Sequence, residues 1–133
     1  MARTPLADAA DLSAAEVIHA RFTALPAGVT VGEVRAWFGE SSHRRMAFLA
    51  DGDRYAGSIP REALDGVDDR RPAREIAHHG PTVAPEAPAR EGYELAVLTD
   101  ANRVPVVDSE GRLLGVVGVT EDRAAFCGTA SRA

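Results

Sequence analysis

Apolar positions along this chain fall in short bursts, and the bursts occur twice in the same order. Ser13-Ala-Ala-Glu16 is a capping box and predicts a short helix to about Ala20. Residues 22–25 read as a brief extended piece that Pro26 ends. Thr30-Val-Gly-Glu33 is a second capping box, and behind it Val31, Val34 and Phe38 share one helical face with Trp37 beside them. Residues 46–50 form a buried strand, Asp51-Gly52 a hairpin turn, and residues 55–59 the return strand. Pro60 suits the first turn of a closing helix over residues 61–64. A short helix over residues 72–78 then restarts the series. The extended pair Thr82-Val83 follows, and then a helix over residues 88–98 that buries Ala89, Tyr93, Ala96 and Val97. Residues 104–107 and 113–117 make a second hairpin through Ser109-Glu110-Gly111. Thr120 caps a last helix, with Glu121 and Asp122 in its first turn, where acids favour the helix dipole.

The two series are copies of one unit. Glu16-Val17-Ile18-His19, with Thr23 and Pro26 behind it, returns 59 residues later as Glu75-Ile76-Ala77-His78, Thr82 and Pro85. Arg45-Met46-Ala47-Phe48-Leu49 returns 58 residues later as Arg103-Val104-Pro105-Val106-Val107, and Arg54 and Gly57 return as Arg112 and Gly115. A near-constant offset in unbroken order points to an internal duplication. Each copy reads β-α-β-β-α after a leading helix, over residues 12–66 and 67–127, joined by the polar stretch 65–71. Residues 1–11 and 128–133 are small and polar and read as loose tails. One copy has too little sheet to cover both faces of its helices. The predicted fold is therefore α/β, two pseudo-symmetric repeats packed through their sheets.

Composition narrows the chemistry. A chain of 133 residues is one domain's worth and can bury a core without metals or disulfides. Cys127 is its single cysteine, which excludes an internal disulfide and a multi-cysteine zinc site. The sequence contains no lysine, which removes Schiff-base catalysis, pyridoxal-phosphate attachment and the P-loop. Abundant Ala, Arg and Gly without Lys points to a high-GC bacterial genome. A net charge of -5 disfavours nucleic acid as a partner. No apolar run reaches the roughly 18 residues that would span a bilayer, and the N-terminus lacks a secretory layout, so a cytoplasmic location is expected.

The run from Arg103 to Asp108, Arg-Val-Pro-Val-Val-Asp, and Gly111-Arg-Leu-Leu-Gly-Val-Val117 after it resemble a CBS domain. The likeness extends over residues 13–126 as a tandem pair, a Bateman module. Its first copy is the more divergent, with Met46-Ala47-Phe48-Leu49-Ala50 in place of the Pro-Val-Val motif. The resemblance implies a regulatory, non-catalytic module that forms homodimers and binds an adenine nucleotide or other adenosine compound between its copies. In such sites the base lies against the first extended segment and the Pro-bearing strand, here Thr82, Val83, Arg103, Val104 and Pro105 in one copy and Thr23, Met46 and Ala47 in the other. The family pattern then asks for a phosphate-binding Thr three residues after the strand glycine and a ribose-binding Asp six after it. After Gly115 those places hold Gly118 and Glu121, with Thr120 and Asp122 nearby but out of step. A longer turn would bring Thr120 and Asp122 into the roles; otherwise Glu121 serves the ribose while backbone N–H groups at Gly118 cradle phosphate. After Gly57 the places hold Pro60, which has no N–H, and Ala63, with Glu62 beside them.

Each candidate also has a plain structural reading. Thr120, Glu121 and Asp122 can be an N-cap and its favoured acids; Thr23 and Thr82 can be strand-edge hydroxyls; Arg45 and Arg103 can be solvated strand ends rather than phosphate partners. His78 and His79 are neighbours without a Cys or a further His at ligand spacing, and read as ordinary residues at a helix end, so no metal is expected. Cys127 reads as a half-buried thiol at the end of the last helix, without a base to activate it. Trp37, one position off the apolar stripe, suits either the core or a dimer contact. Two functions stay open: an adenosine sensor that regulates a separate protein, and a pair without ligand that serves dimerisation or docking.

Overall fold

Both capping boxes close, but they open helices of different kinds. The structure is a computed structural model and describes residues 2–129. In chain order it places β1 Ala2–Pro5, β2 Leu25–Pro26, α1 Val31–Gly39, β3 Met46–Asp51, β4 Arg54–Pro60, α2 Ala89–Val97, β5 Arg103–Val107, β6 Leu113–Gly118 and β7 Ala125–Thr129. The Thr30 box starts α1: the Thr30 hydroxyl accepts the Glu33 N–H at 3.2 Å, and Glu33 takes the Thr30 N–H at 3.1 Å. At Ser13 the Glu16 carboxylate likewise takes the Ser13 N–H at 3.0 Å, yet a single 3-10 turn follows, Ala14–Val17, rather than a helix to Ala20. Ile18 leaves that turn extended because residues 18 and 19 make isolated β-bridges: Ile18 faces Val117, and the His19 N–H donates to the Val116 carbonyl at 2.8 Å. The second leading helix is also a 3-10 turn, Ala73–Glu75, and for a matching reason. His78 exchanges both backbone hydrogen bonds with Ser58, at 2.7 and 3.0 Å.

The chain forms two compact units, residues 23–80 and residues 1–22 with 81–133. Each unit therefore holds the helix and hairpin of one sequence copy and the leading turn of the other. In residues 23–80, β2 runs parallel to β3 with Leu25 opposite Leu49, and β3 pairs antiparallel with β4, Ala47 opposite Ile59. Val31, Val34 and Phe38 bury one face of α1 with Ala47, Leu49, Ile59, Leu64 and Ala73, and Trp37 packs partly buried beside them. The stretch 65–71 is not a free linker. Its Asp69 and Arg71 carbonyls accept the Gly32 and Val31 N–H groups at 2.9 and 2.8 Å, and so satisfy the first donors of α1. Arg35 holds it from the helix side through the Leu64 and Val67 carbonyls at 2.6 and 3.1 Å and an ion pair with Asp69.

In the other unit β5 and β6 pair antiparallel, Val104 opposite Val117, and Val83 lies parallel along β5 as the counterpart of β2. The core gathers Val17, Val83, Ala89, Ala96, Val104, Val106, Val117 and Phe126. Along α2 the buried positions are Ala89, Gly92 and Ala96, while Tyr93 and Val97 are only partly covered. Gly92 is the unforeseen member: its missing side chain brings α2 against Val117, 3.5 Å from where a Cβ would lie.

The largest departure from the sequence reading is at the end of the chain. No helix follows Thr120. A turn leads instead into β7, which pairs antiparallel with β1, Arg3 opposite Cys127 and Thr4 opposite Phe126. The segments read as loose tails thus include two paired strands, with Thr4 and Thr129 hydroxyls 2.8 Å apart. Cys127 lies in β7, half-buried, not at a helix end; residues 130–133 are outside the described residues.

Gly57 and Gly115, equivalent in the two copies, stand where the exchanged segments pass. A Cβ on Gly57 would lie 2.8 Å from the Ala77 Cβ and would meet a φ of +121° besides; a Cβ on Gly115 would lie 2.7 Å from the Ile18 Cγ2. Gly57→Ala is expected to destabilise by about 2–5 kcal/mol, a clash plus a backbone penalty, and Gly115→Ala by about 1–3 kcal/mol. Urea unfolding measures both. Equal losses would refute the added backbone penalty.

Candidate functional site

The candidate residues of the second copy meet at one end of the β5–β6 hairpin. Beyond β6, Val119 still pairs with Phe126, and the Thr120 N–H donates to the Ala125 carbonyl at 2.9 Å. The Arg123 N–H closes back on the Thr120 carbonyl at 2.8 Å, and Arg123 itself sits at φ +61°, which ends any helical course. The side chains lock this turn. The Thr120 hydroxyl donates to Asp122 Oδ1 at 2.6 Å and accepts the Ala125 N–H at 3.3 Å, and Asp122 Oδ1 also accepts the Ala124 N–H at 3.0 Å. The same two residues that suggested a helix cap therefore stabilise a tight turn between strands.

Electrostatics follow from those bonds. The Thr120 hydroxyl first, then the Ala124 N–H, hold the Asp122 carboxyl below the ordinary carboxylate range, and the Arg3 guanidinium adds a smaller pull in the same direction. Asp122 is thus an ionised, oriented carboxylate on an exposed turn. Arg3 Nη2 lies 3.7 Å from Asp122 Oδ1. Glu121 is exposed beside them.

Arg103 is neither a solvated strand end nor a free cation. Its Nη1 donates to the carbonyls of Asn102 at 3.1 Å, Val119 at 3.2 Å and Ala101 at 3.5 Å, so it clamps the start of the turn. Gly118 makes that clamp possible: a Cβ there would come 3.2 Å from the guanidinium and 2.9 Å from Cys127 Sγ. Asn102, at φ +53°, donates weakly to the Thr120 carbonyl at 3.5 Å, while its Oδ1 is buried without a hydrogen-bond partner among the described residues. Val104, Pro105 and Val83 form the hairpin's interior, and Thr82 is exposed next to them.

The first-copy candidates belong to the other unit and are not brought into such a cluster. Met46 and Ala47 are buried in β3, and Thr23 is exposed ahead of β2. Pro60 ends β4 and leads a 3-10 turn, Arg61–Leu64, that carries Glu62 and Ala63. Arg61 is tied to that strand end by its N–H on the Arg45 carbonyl at 3.0 Å and its guanidinium on the Arg44 carbonyl at 3.0 Å. Nothing in that turn matches the Thr120–Asp122 pair.

Residues 73–121 match the CBS domain family. The fold matches solved CBS pairs over up to 80% of the chain. The CBS pair of a putative Mg2+ transporter from Shewanella oneidensis aligns at TM-score 0.67 and 18% identity over 76% of this chain and 61% of that one. The chain has the fold of a tandem CBS domain pair. The cytosolic domain of the Mg2+ channel MgtE in complex with ATP aligns with this pair at TM-score 0.61 and 27% identity, over 73% of this chain and 42% of that one. A CBS domain protein of Pyrobaculum aerophilum complexed with AMP aligns at TM-score 0.68 and 22% identity over 80% and 87%. The pair thus spans less than two thirds of the two transporter-derived chains. No curated protein matches it. CBS pairs are in general regulatory rather than catalytic modules. Among the described residues no helix of this one is long and apolar enough to cross a membrane, and no group of three or more His, Cys, Asp and Glu side chains could hold a metal ion.

Two residues of this CBS pair's turn were not legible beforehand. Arg3 lies in a segment that gives no strand signal, and Asn102 acts through a backbone conformation that sequence does not show. A third, His19, was visible as a repeat residue but not as a packed one. It occupies the space of a Gly128 side chain and accepts the Arg21 N–H through Nδ1 at 3.1 Å. Burial first, then the positive charges of Arg103 and Arg21, lower its pKa from the ordinary 6.5. The folded state therefore prefers neutral His19. Its contribution is whole above the unfolded value and is lost as pH falls from 6.5 through the lowered folded value. Stability measured by urea unfolding should decline over that window in the natural chain and decline less in His19→Gln. Equal declines would remove His19 as the cause.

Proposed function

We propose that this CBS pair is a regulatory module that senses an adenosine-containing ligand, such as AMP, ADP or ATP, and that the turn after β6 supplies its recognition residues. The observation that carries the reading is the Thr120–Asp122 turn. It presents an ionised carboxylate whose Oδ1 is fixed by the turn, in an exposed position. A carboxylate of this kind is the usual partner of a ribose hydroxyl pair. Val83, Val104 and Pro105 are the buried apolar backing behind exposed Thr82, where the base would lie along the strand, with Met46 and Ala47 behind Thr23 as their first-copy counterparts. The relatives that hold ATP and AMP lend support to the ligand class. The module acts as a homodimer on a separate regulated protein in the cytoplasm, without nucleic acid or membrane as partner. A second reading has its own observation. Asp122 Oδ1 and Thr120 already satisfy each other, and a pair whose turn is complete without ligand would serve dimerisation or docking alone.

A thermal-shift titration separates the two. At a hundred times its dissociation constant a ligand that binds only the folded state adds about 2.7 kcal/mol, on the order of 10 °C for a domain of this size. AMP, ADP or ATP should produce that shift in the natural chain. Asp122→Asn keeps an oxygen acceptor for the Thr120 hydroxyl and removes the charge, and should lose the shift while melting cooperatively. A natural chain that melts at the same temperature with each nucleotide and with S-adenosylmethionine would turn the reading to the docking module.

A further inference from the structure

The N-terminal strand carries a cation to the turn that the nucleotide reading assigns to the ribose. We infer that Arg3 is the anion-recognising residue of that site and selects nucleoside 5′-phosphates over nucleosides; this rests on the reading above. Three observations support it. First, Arg3 is placed by backbone pairing, not by chance reach: β1 runs antiparallel to β7 with Arg3 opposite Cys127, and the Thr4 and Thr129 hydroxyls bond beside it at 2.8 Å. Second, its partner is held loosely. The 3.7 Å separation from Asp122 is longer than a fork on a carboxylate, and both side chains stay more than half exposed, at 60% and 64%. Such a pair contributes little and yields readily to a stronger anion. Third, neither the backbone at this turn nor the arginine of its own hairpin supplies the positive charge. Thr120 opens no helix, so no row of helix N–H groups is present to meet phosphate, and Arg103 of the same hairpin is engaged by three carbonyls.

The chemistry of one ligand class fits this pair of side chains. A nucleoside 5′-phosphate carries its hydroxyl pair and its phosphate on one sugar, and Asp122 and Arg3 offer a carboxylate and a guanidinium side by side. The guanidinium fork meets two phosphate oxygens at once, which a lysine could not reproduce. When phosphate takes Arg3, the Asp122 carboxylate loses its ion-pair partner and is left to the ribose hydroxyls, so the two contacts support each other.

Isothermal titration of the full chain with AMP and with adenosine tests this, using Arg3→Gln, Arg3→Lys and, as a control for general charge, Arg112→Gln at the far end of the hairpin. The natural chain should bind AMP about tenfold or more tightly than adenosine, the scale of one charge-assisted contact. Arg3→Gln should bring the two affinities together by weakening AMP alone, and Arg112→Gln should leave the ratio as it is. Arg3→Lys, which retains the charge without the fork and serves where Arg3→Gln does not fold, should weaken AMP by a smaller factor. An unchanged AMP affinity in Arg3→Gln overturns the inference while the nucleotide reading stands. Equal loss of AMP and adenosine also overturns it, because it assigns Arg3 a purely structural role. A natural chain that binds neither compound overturns the nucleotide reading and this inference with it.

Discussion

Backbone exchange between the two sequence copies is the constraint on which the rest of this fold depends. His78 of the second copy closes two hydrogen bonds on Ser58 of the first, and His19 of the first donates to Val116 of the second. Ser58 and Val116 are equivalent positions, as are His19 and His78, so the duplication in sequence returns as a reciprocal pairing in space. The pairing dictates local structure on both sides. It forces the leading segments to be extended after one turn, the first of them against its capping box, and it forces glycine at positions 57 and 115, where any side chain would meet Ala77 or Ile18. Unmet backbone groups inside a fold are costly, so each hairpin edge needs the other copy's segment. Neither copy is a folding unit by itself.

That same need explains the end of the chain. The second copy's last element is β7, not a helix, and β7 has partners on both sides: β1 along one edge, and His19, Val119 and Thr120 along the other. A helix at this point would leave both sets of backbone groups without those partners. Arg123 in a left-handed conformation and the Thr120–Asp122 bond set the reversal. The chemical consequence is a change in the source of positive charge. A helix start offers N–H groups and a dipole end; this turn offers neither, and the cation paired with its carboxylate is a side chain from the opposite end of the sequence.

The sequence was most legible where one periodicity served one purpose. The α1 face, both hairpins with their Asp-Gly and Glu-Gly turns, and the repeat itself were readable because burial, turn chemistry and register agreed. Misreadings arose where a local signal had two physical uses. Ser13-Ala-Ala-Glu16 forms its box and then yields to strand pairing. Thr120 with acids behind it is as good a turn lock as a helix cap, because a hydroxyl and a carboxylate two residues apart can bond each other as readily as they bond N–H groups. The tails misled for a different reason. Ala2–Pro5 carries no alternation or β-branched run, and becomes a strand through β7, at the other end of the described residues. At the site, Asp122 and Thr120 were visible as residue types, whereas Arg3 and Asn102 were invisible because their roles depend on that long-range pairing.

The charge pattern gives these placements their meaning. With a net charge of -5, the chain as a whole repels anions, so an anionic ligand must be drawn by a local arrangement. Most of the arginines with described partners are held by short contacts: Arg35 on the linker, Arg103 on three carbonyls, Arg44 on Glu40, Arg112 on Asp108, Arg90 on Glu94. Arg3, which reaches from one strand to a turn on another, makes the loosest of these contacts, at 3.7 Å. A ligand that draws Arg3 away from Asp122 would act on the strand that begins the chain and on the turn that ends the second copy at once. Any regulatory effect requires that the ligand bind one arrangement of those strands better than another, since differential affinity is the only means by which binding shifts a conformational equilibrium.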